Sequence, residues 1–236
     1  METTGYATLT RQAGLMREMQ VVANNIANAA TTGFRQEGVI FSEYVQPVRG
    51  GPSLSMAVAR ARQTSLVQGT LTRTGNDFDF AIEGEGFFLI ETPQGERLTR
   101  SGSFSPSAEG DLVTNDGFRV LDAGGAPIFV PPRGQIRAAA DGTLSADGHP
   151  IAQIGIVLPT DPMALRREDG VMFDAVGGFE PVDGARVVQG FLEGSNVDPI
   201  GQVARMITVQ RAYEMGQSFL EAEHDRMRGA IKAMMS

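Results

Sequence analysis

Met206, Tyr213, Leu220, Met227 and Met234 recur every seven residues near one end of the chain, and Val203, Gln210, Gln217, His224 and Ile231 stand three residues before them. Two interleaved rows at this spacing form the a/d pattern of a helix that packs along a seam. Asp198-Pro199 supplies an N-cap followed by proline at the first helical position, so the pattern predicts one long helix from there onward. Such a helix runs on the order of 50 Å at 1.5 Å per residue, longer than a small domain is wide. Something outside a single compact core must therefore cover it.

The opposite end carries a second seam. Leu15, Met19, Val22, Ile26 and Ala29 alternate four-residue and three-residue steps, and Leu9, Ala13, Met16 and Ala23 form an adjoining stripe. The apolar face is wider than one partner helix requires. A helix is expected from about Gly5 to Ala30, stopping at Thr31-Thr32-Gly33, where β-branched residues disfavour helix and glycine suits the left-handed position after it. Asn24, Asn25 and Asn28 have two readings: a frayed last turn bonded to its own backbone, or buried amides that fix the register against a neighbouring helix.

Between the two seams the chain holds most of its 29 glycines and 12 prolines, a supply of turns that implies short strands. Phe34 to Val48 shows no clear period and Gly50-Gly51-Pro52 breaks the chain; Leu54, Met56 and Val58 alternate as a strand does. Short apolar runs then alternate with Asn115-Asp116-Gly117, Gly124-Gly125, Asp141-Gly142 and Asp147-Gly148, as in hairpins and meanders. Ile151 to Leu158 reads as the longest apolar strand, and Asp161-Pro162 as the start of a short helix through Leu165 to Glu168 that stops at Gly170. The expected division is an N-terminal helical arm at 1–33, an extended linker and first strand at 34–68, a β domain at 69–197 and a C-terminal helical arm at 198–236. The fold class expected is α+β, its N- and C-terminal long α-helices pairing as a coiled-coil-like arm around an inserted all-β domain.

Two seams with one partner in cis leave apolar stripe uncovered, so a second subunit is expected to bury it. The candidate interface residues are Leu15, Met19, Val22, Asn24, Asn25, Ile26 and Asn28 on the first helix. On the second they are Val203, Met206, Gln210, Tyr213, Gln217, Leu220, His224, Met227, Ile231 and Met234.

Enzymatic and ligand chemistry finds little support. A formal net charge of −8, with arginines scattered among acids, argues against nucleic-acid binding. The absence of cysteine excludes disulfides and thiolate metal sites. Met1 to Tyr6 lacks a basic and then apolar signal segment, and no apolar run approaches the roughly 20 residues of a membrane span, so neither a cleavable signal nor membrane insertion is expected. Gly84-Glu85-Gly86 lacks the third glycine of a phosphate loop and reads as a turn or bulge. Asp77, Asp79, Glu83 and Glu85 are the sharpest catalytic candidates, because sugar hydrolysis needs two carboxylates, but a solvated strand face explains them as well. His149 and His224 have no ligand spacing, and Ser195 lies outside a nucleophile elbow. No catalytic residue, metal or cofactor is expected.

Three ordered stretches carry a family resemblance. They are Asn24-Asn25-Ile26-Ala27-Asn28 with Thr31-Thr32-Gly33-Phe34-Arg35; Ala81 to Phe88 with Leu98-Thr99-Arg100-Ser101-Gly102; and Glu193 to Asp198 with Gln210-Arg211-Ala212-Tyr213-Glu214. Together they resemble the bacterial flagellar rod and hook proteins from one end of the chain to the other. Within that family, the short length and Ala139 to Ser145 leading into Gln153 to Val157 are most similar to proximal rod subunits, with distal rod subunits the runner-up. The resemblance implies a non-enzymatic axial subunit that polymerises through its terminal helices and transmits torque. It implies as partners other copies of the chain, neighbouring rod proteins including the distal rod protein, and the flagellar type III export apparatus, with residence in the periplasmic rod of the basal body. A periplasmic glycan hydrolase and a glycan-binding β module are the readings from other classes. Gly216 departs from the family pattern, and its place in mid-helix points to a bend or a close helix approach.

Overall fold

The computed structural model describes residues 2–46, 54–182 and 184–234. The Gly50-Gly51-Pro52 break lies outside these residues. The chain divides into two compact units. The first comprises Met1–Ala27, Glu37–Gln63 and Asp198–Ser236; the second comprises Asn28–Gln36 and Thr64–Val197.

In the first unit, helix α1 (Glu2–Ala27) contacts helix α2 (Pro199–Met234), and strand β1 (Glu37–Gln46) pairs with strand β2 (Leu54–Thr64). The Asp198 carboxylate accepts the Ile200 N–H at 3.2 Å and caps α2 ahead of Pro199. Helix α1 ends at Ala27, short of the expected stop, because Asn28 turns the chain: its carbonyl accepts the Thr31 N–H at 3.0 Å and its side chain bonds the Thr31 hydroxyl. The two helices run antiparallel, since Asn25 meets Gln202, Glu18 meets Arg205 and Gln12 meets Tyr213.

The structure departs from the expected α+β class with its coiled-coil-like arm. The described residues form a large, mostly-β domain with two α-helices, and the helices do not meet as a coiled-coil-like arm along the predicted rows. Met206, Tyr213 and Leu220 are half-buried, but Met227 and Met234 of the same row, and Val203, Gln210, Gln217, His224 and Ile231 of its companion, are exposed. The inward companions are instead Gln202, Val209, Gly216 and Glu223, one position before each of the first four. That row holds one apolar side chain, so polar pairs and a glycine make the contact where a knobs-into-holes seam needs repeated apolar knobs.

The second unit is antiparallel throughout its main sheet. Its central strand, Phe87–Thr92, pairs with Gly95–Thr99, Arg119–Val120 and Ile156–Pro159. Beyond Gly95–Thr99 the sheet continues to Met172–Ala175 and Leu165–Arg167; on the other side it continues to Leu112–Thr114 and Phe104–Pro106. A three-stranded sheet of Ile136–Ala138, Thr143–Ala146 and His149–Gln153 stands beside it. Short pairs join Phe80–Glu83 to Arg186–Gln189 and Leu71–Arg73 to Phe191–Glu193.

One core gathers Phe80, Ile82, Phe88, Ile90, Phe104 and Leu112 with the three-stranded sheet, and a second gathers Phe87, Leu89, Leu98, Val157, Leu165 and Phe173. The central strand feeds both because its alternate side chains point to opposite faces. Two local expectations fail against this tertiary packing. Ile151 to Leu158 is two strands in different sheets, divided where Ile154 bridges Asp122 and the Gly155 N–H bonds the Leu121 carbonyl. Asp161 does cap a 3₁₀ turn at Pro162–Ala164, but Leu165 leaves it as a strand paired with Ala175 and buries its side chain in the second core.

Candidate functional site: a buried arginine clasp and two helix faces

Three stretches far apart in sequence meet inside the β unit. The turn after Phe80–Glu83 presents the carbonyls of Gly84 and Gly86, and with the Ile82 carbonyl they accept hydrogen bonds from the Arg100 guanidinium. The remaining Arg100 donor, Nε, binds Glu193 Oε2 at 2.6 Å. Glu193 Oε1 accepts the Gly69 N–H at 2.7 Å and forms an ion pair with Arg35 at 2.8 Å. Arg100 and Glu193 are each 1% exposed. A charge taken out of water costs several kcal/mol unless it is fully paired, and here one carboxylate offsets one of the two guanidinium charges while backbone carbonyl dipoles stabilise the excess positive charge.

Arg35 is the less satisfied member. Its NH1 also donates to the Val67 carbonyl, while its Nε is buried without a hydrogen-bond partner. Burial, the larger cause, and the neighbouring Arg100 cation lower its pKa to about 10, against the opposing effect of Glu193. At neutral pH it keeps its proton and the ion pair stands.

The segment bearing Arg35 is held along its length. The Gly33 N–H bonds the Glu193 carbonyl at 2.7 Å, the Asn196 N–H bonds the Phe34 carbonyl at 3.3 Å, and the Gln36 N–H bonds the Asn196 side-chain oxygen at 2.6 Å. Asn196 also donates to the Val67 carbonyl at 2.7 Å. Phe34 is buried beneath the Arg167 guanidinium, 4.2 Å from its ring centroid, and Arg167 also donates to the Arg35 carbonyl. Gly33 has φ +71°, and a Cβ there would lie 2.3 Å from the Ser101 nitrogen and 2.6 Å from the Arg100 carbonyl carbon. Only glycine fits both the backbone angle and the space.

The helix faces differ from this clasp in composition. On α1, Val22 is buried and Leu15, Met19 and Ile26 are half-buried, while Asn24 is exposed and Asn28 half-buried. Asn25 is fully buried: its amide donates to the Glu37 carbonyl at 2.8 Å and accepts the Glu37 N–H at 3.0 Å, with Gln202 at 3.2 Å. This is the buried-amide arrangement, made to strand β1 as well as to a helix. Glu18 Oε1 accepts from Arg205 Nε at 2.6 Å, and Gln12 Nε2 donates to the Tyr213 carbonyl at 3.1 Å. A Cβ on Gly216 would stand 2.5 Å from that same Gln12 nitrogen, so the departure at Gly216 is a close helix approach.

The other faces are open. Leu9, Ala13, Met16 and Ala23 are exposed on α1. On α2, Ile207, Met215, Phe219, Met227, Ile231 and Met234 are exposed, Met234 to 88%. Gln210 bonds Glu214 within its own helix at 3.0 Å.

The carboxylates singled out for catalysis are dispersed. Asp79 is buried and receives the Asn76 amide at 3.1 Å, whereas Glu83 forms a surface pair with Arg186 at 3.2 Å. No group of three or more potential metal ligands gathers among the described residues, and none of their helices is long and apolar enough to cross a membrane. Sequence inspection overlooked Arg35, Arg100, Glu193 and Asn196 as one site. The available signal was the glycine accompanying each charged residue, at Gly33, Gly102 and Gly194, where another backbone passes close.

A clasp buried from solvent and paired within the chain, together with helices that leave apolar side chains exposed, points to a structural subunit built to assemble. Comparison with known proteins agrees. Family models match residues 8–35 (Flagella basal body rod protein), 81–161 (Flagellar hook protein FlgE/F/G D1 domain) and 188–233 (Flagellar basal body rod FlgEFG protein C-terminal). Arg35, Arg100 and Glu193 fall one in each. The flagellar basal-body rod protein FlgF of Caulobacter vibrioides is 36% identical, covering 99% of this chain and 98% of its own. The FlgF protein of Mesorhizobium japonicum is 38% identical over 100% and 99%. The rod protein FlgG of Agrobacterium fabrum is 32% identical over 86% and 88%. The chain belongs to the flagellar basal-body rod protein family, and its function is that of a structural subunit of the basal-body rod.

Proposed function

We propose that this chain is an axial subunit of the proximal rod, polymerising through α1 and α2 with other copies and with neighbouring rod proteins, the distal rod protein among them. The observation that supports this reading most directly is the row of apolar residues left open on both helices after they contact each other. Each such side chain gains about 1.5–3 kcal/mol when fully buried, so several along one helix favour association strongly. Packed helices then transmit torque from motor to hook, and the chain performs no chemistry of its own. Delivery through the flagellar type III export apparatus to the periplasmic part of the basal body completes the proposal. Deleting Ile200 to Ser236 should abolish motility and rod assembly while the β domain keeps its circular dichroism; normal swimming by that strain would overturn the reading.

A further inference from the structure

Residues Asn28–Gln36 belong to the β unit, although the chain on both sides of them, through Ala27 and from Glu37, belongs to the helical unit. A short segment, turned over Asn28 to Gly33 and open from Phe34 to Gln36, enters the β unit from another part of the molecule and leaves it again, as a bound peptide would. Its contacts are those of peptide recognition. Main-chain bonds run to Glu193 and Asn196, a phenyl anchor sits beneath Arg167, and an arginine anchor reaches the Glu193 carboxylate. Gly33 lies so close to Arg100 and Ser101 that no side chain fits. None of these residues belongs to the two apolar cores, so the β unit has its own reasons to fold when the segment is withdrawn.

We propose that the cleft formed by Arg100, Ser101, Arg167, Glu193, Asn196 and Val67 is a recognition groove for a Gly-Phe-Arg segment presented by a turn. The chain's own residues fill it in cis, and the same segment of a second copy fills it when the cis segment is withdrawn. Main-chain bonds supply affinity without choosing a sequence; the absent Cβ, the ring and the guanidinium supply the choice. Exchange of an identical element between copies is a low-cost route to association, because every contact is already optimised within one chain.

The test uses the full chain carrying Gly33→Val, whose own segment is blocked by the collision with Ser101, and a labelled synthetic peptide spanning residues 28–37 as the stand-in for a second copy. Fluorescence polarisation should show saturable binding to this variant and none to the unaltered chain, whose groove is filled. Peptides carrying Phe34→Ala or Arg35→Ala should bind on the order of tenfold more weakly or worse, the loss expected for a charge-assisted hydrogen bond or a buried ring. A peptide carrying Gly33→Val should not bind. If the Gly33→Val chain fails to fold by circular dichroism, the Phe34→Ala chain serves as host with the same readings. Absence of binding to a folded host, equal binding by the unaltered chain, or equal binding by the Gly33→Val peptide would each overturn the proposal.

Discussion

The β unit and the helical unit solve opposite problems with similar residues. At the clasp, Arg35, Arg100 and Glu193 are sealed from solvent and surrounded by fixed carbonyls, so a change of one atom type leaves a charge buried without its counterpart. Between the helices, Glu18 and Arg205 also pair, but the Arg205 side chain is 55% exposed, against 10% for Glu18, so water reaches one side of the pair. The same chemistry therefore fixes the fold in one unit and merely sets register in the other. Stability should be concentrated in the clasp, and assembly in the open helix faces.

The largest expected effect tests the clasp. Glu193→Gln leaves two neighbouring buried cations facing a neutral amide and should lower unfolding stability by about 3–5 kcal/mol in denaturant titration. A loss as small as that of an exposed pair would break the contrast between the units. Phe34→Ala removes a buried ring, its cation–π contact and its packing, and should cost about 3–5 kcal/mol by the same measurement. Asn25→Ala in the helical unit removes both side-chain bonds to the Glu37 backbone and should cost about 1–3 kcal/mol, an intermediate value that locates one firm polar contact outside the clasp.

The smallest effect concerns pH. A hydrogen bond from Arg97 holds the Glu168 carboxyl below the ordinary glutamate range in the folded chain. A depressed folded pKa means that this contribution is fully present above the ordinary range and disappears as the pH falls through the folded value. The Tm difference between the unaltered chain and Glu168→Gln should therefore be slight near neutrality and shrink towards zero on acidification. The Glu168 side chain is 39% exposed, so water can replace part of what Arg97 gives it, and a large difference would contradict the contrast drawn between partly open and sealed pairs.

The two units were also unequally legible in sequence. The long C-terminal helix follows from seven-residue spacing and an Asp-Pro start; of its seven-residue row, Met206, Tyr213 and Leu220 are half-buried, and Met227 and Met234 are exposed. The companion row stands one position away because apolar count favours Val203 and Ile231, whereas the contact with the first helix uses Gln202 and Gly216, residues that periodicity scores as surface. Hairpin turns in the β domain announce themselves through Asp-Gly and Asn-Asp-Gly. Where one strand ends and another begins inside Ile151 to Leu158 is decided by Asp122, some thirty positions away, and no local pattern contains that information. The clasp is the extreme case: Arg35 and Glu193 are separated by most of the chain, and each alone resembles a surface charge.

The most direct test of the division between stability and assembly is the incorporation of a Met227→Glu, Ile231→Glu double variant into isolated basal bodies. Both side chains are exposed in the chain, at 47% and 58%, so its melting should match the unaltered protein within about 0.5 kcal/mol. The account predicts a normally folded protein that is absent from the rod and cells that do not swim. Intact rods containing the variant at the usual level would contradict it.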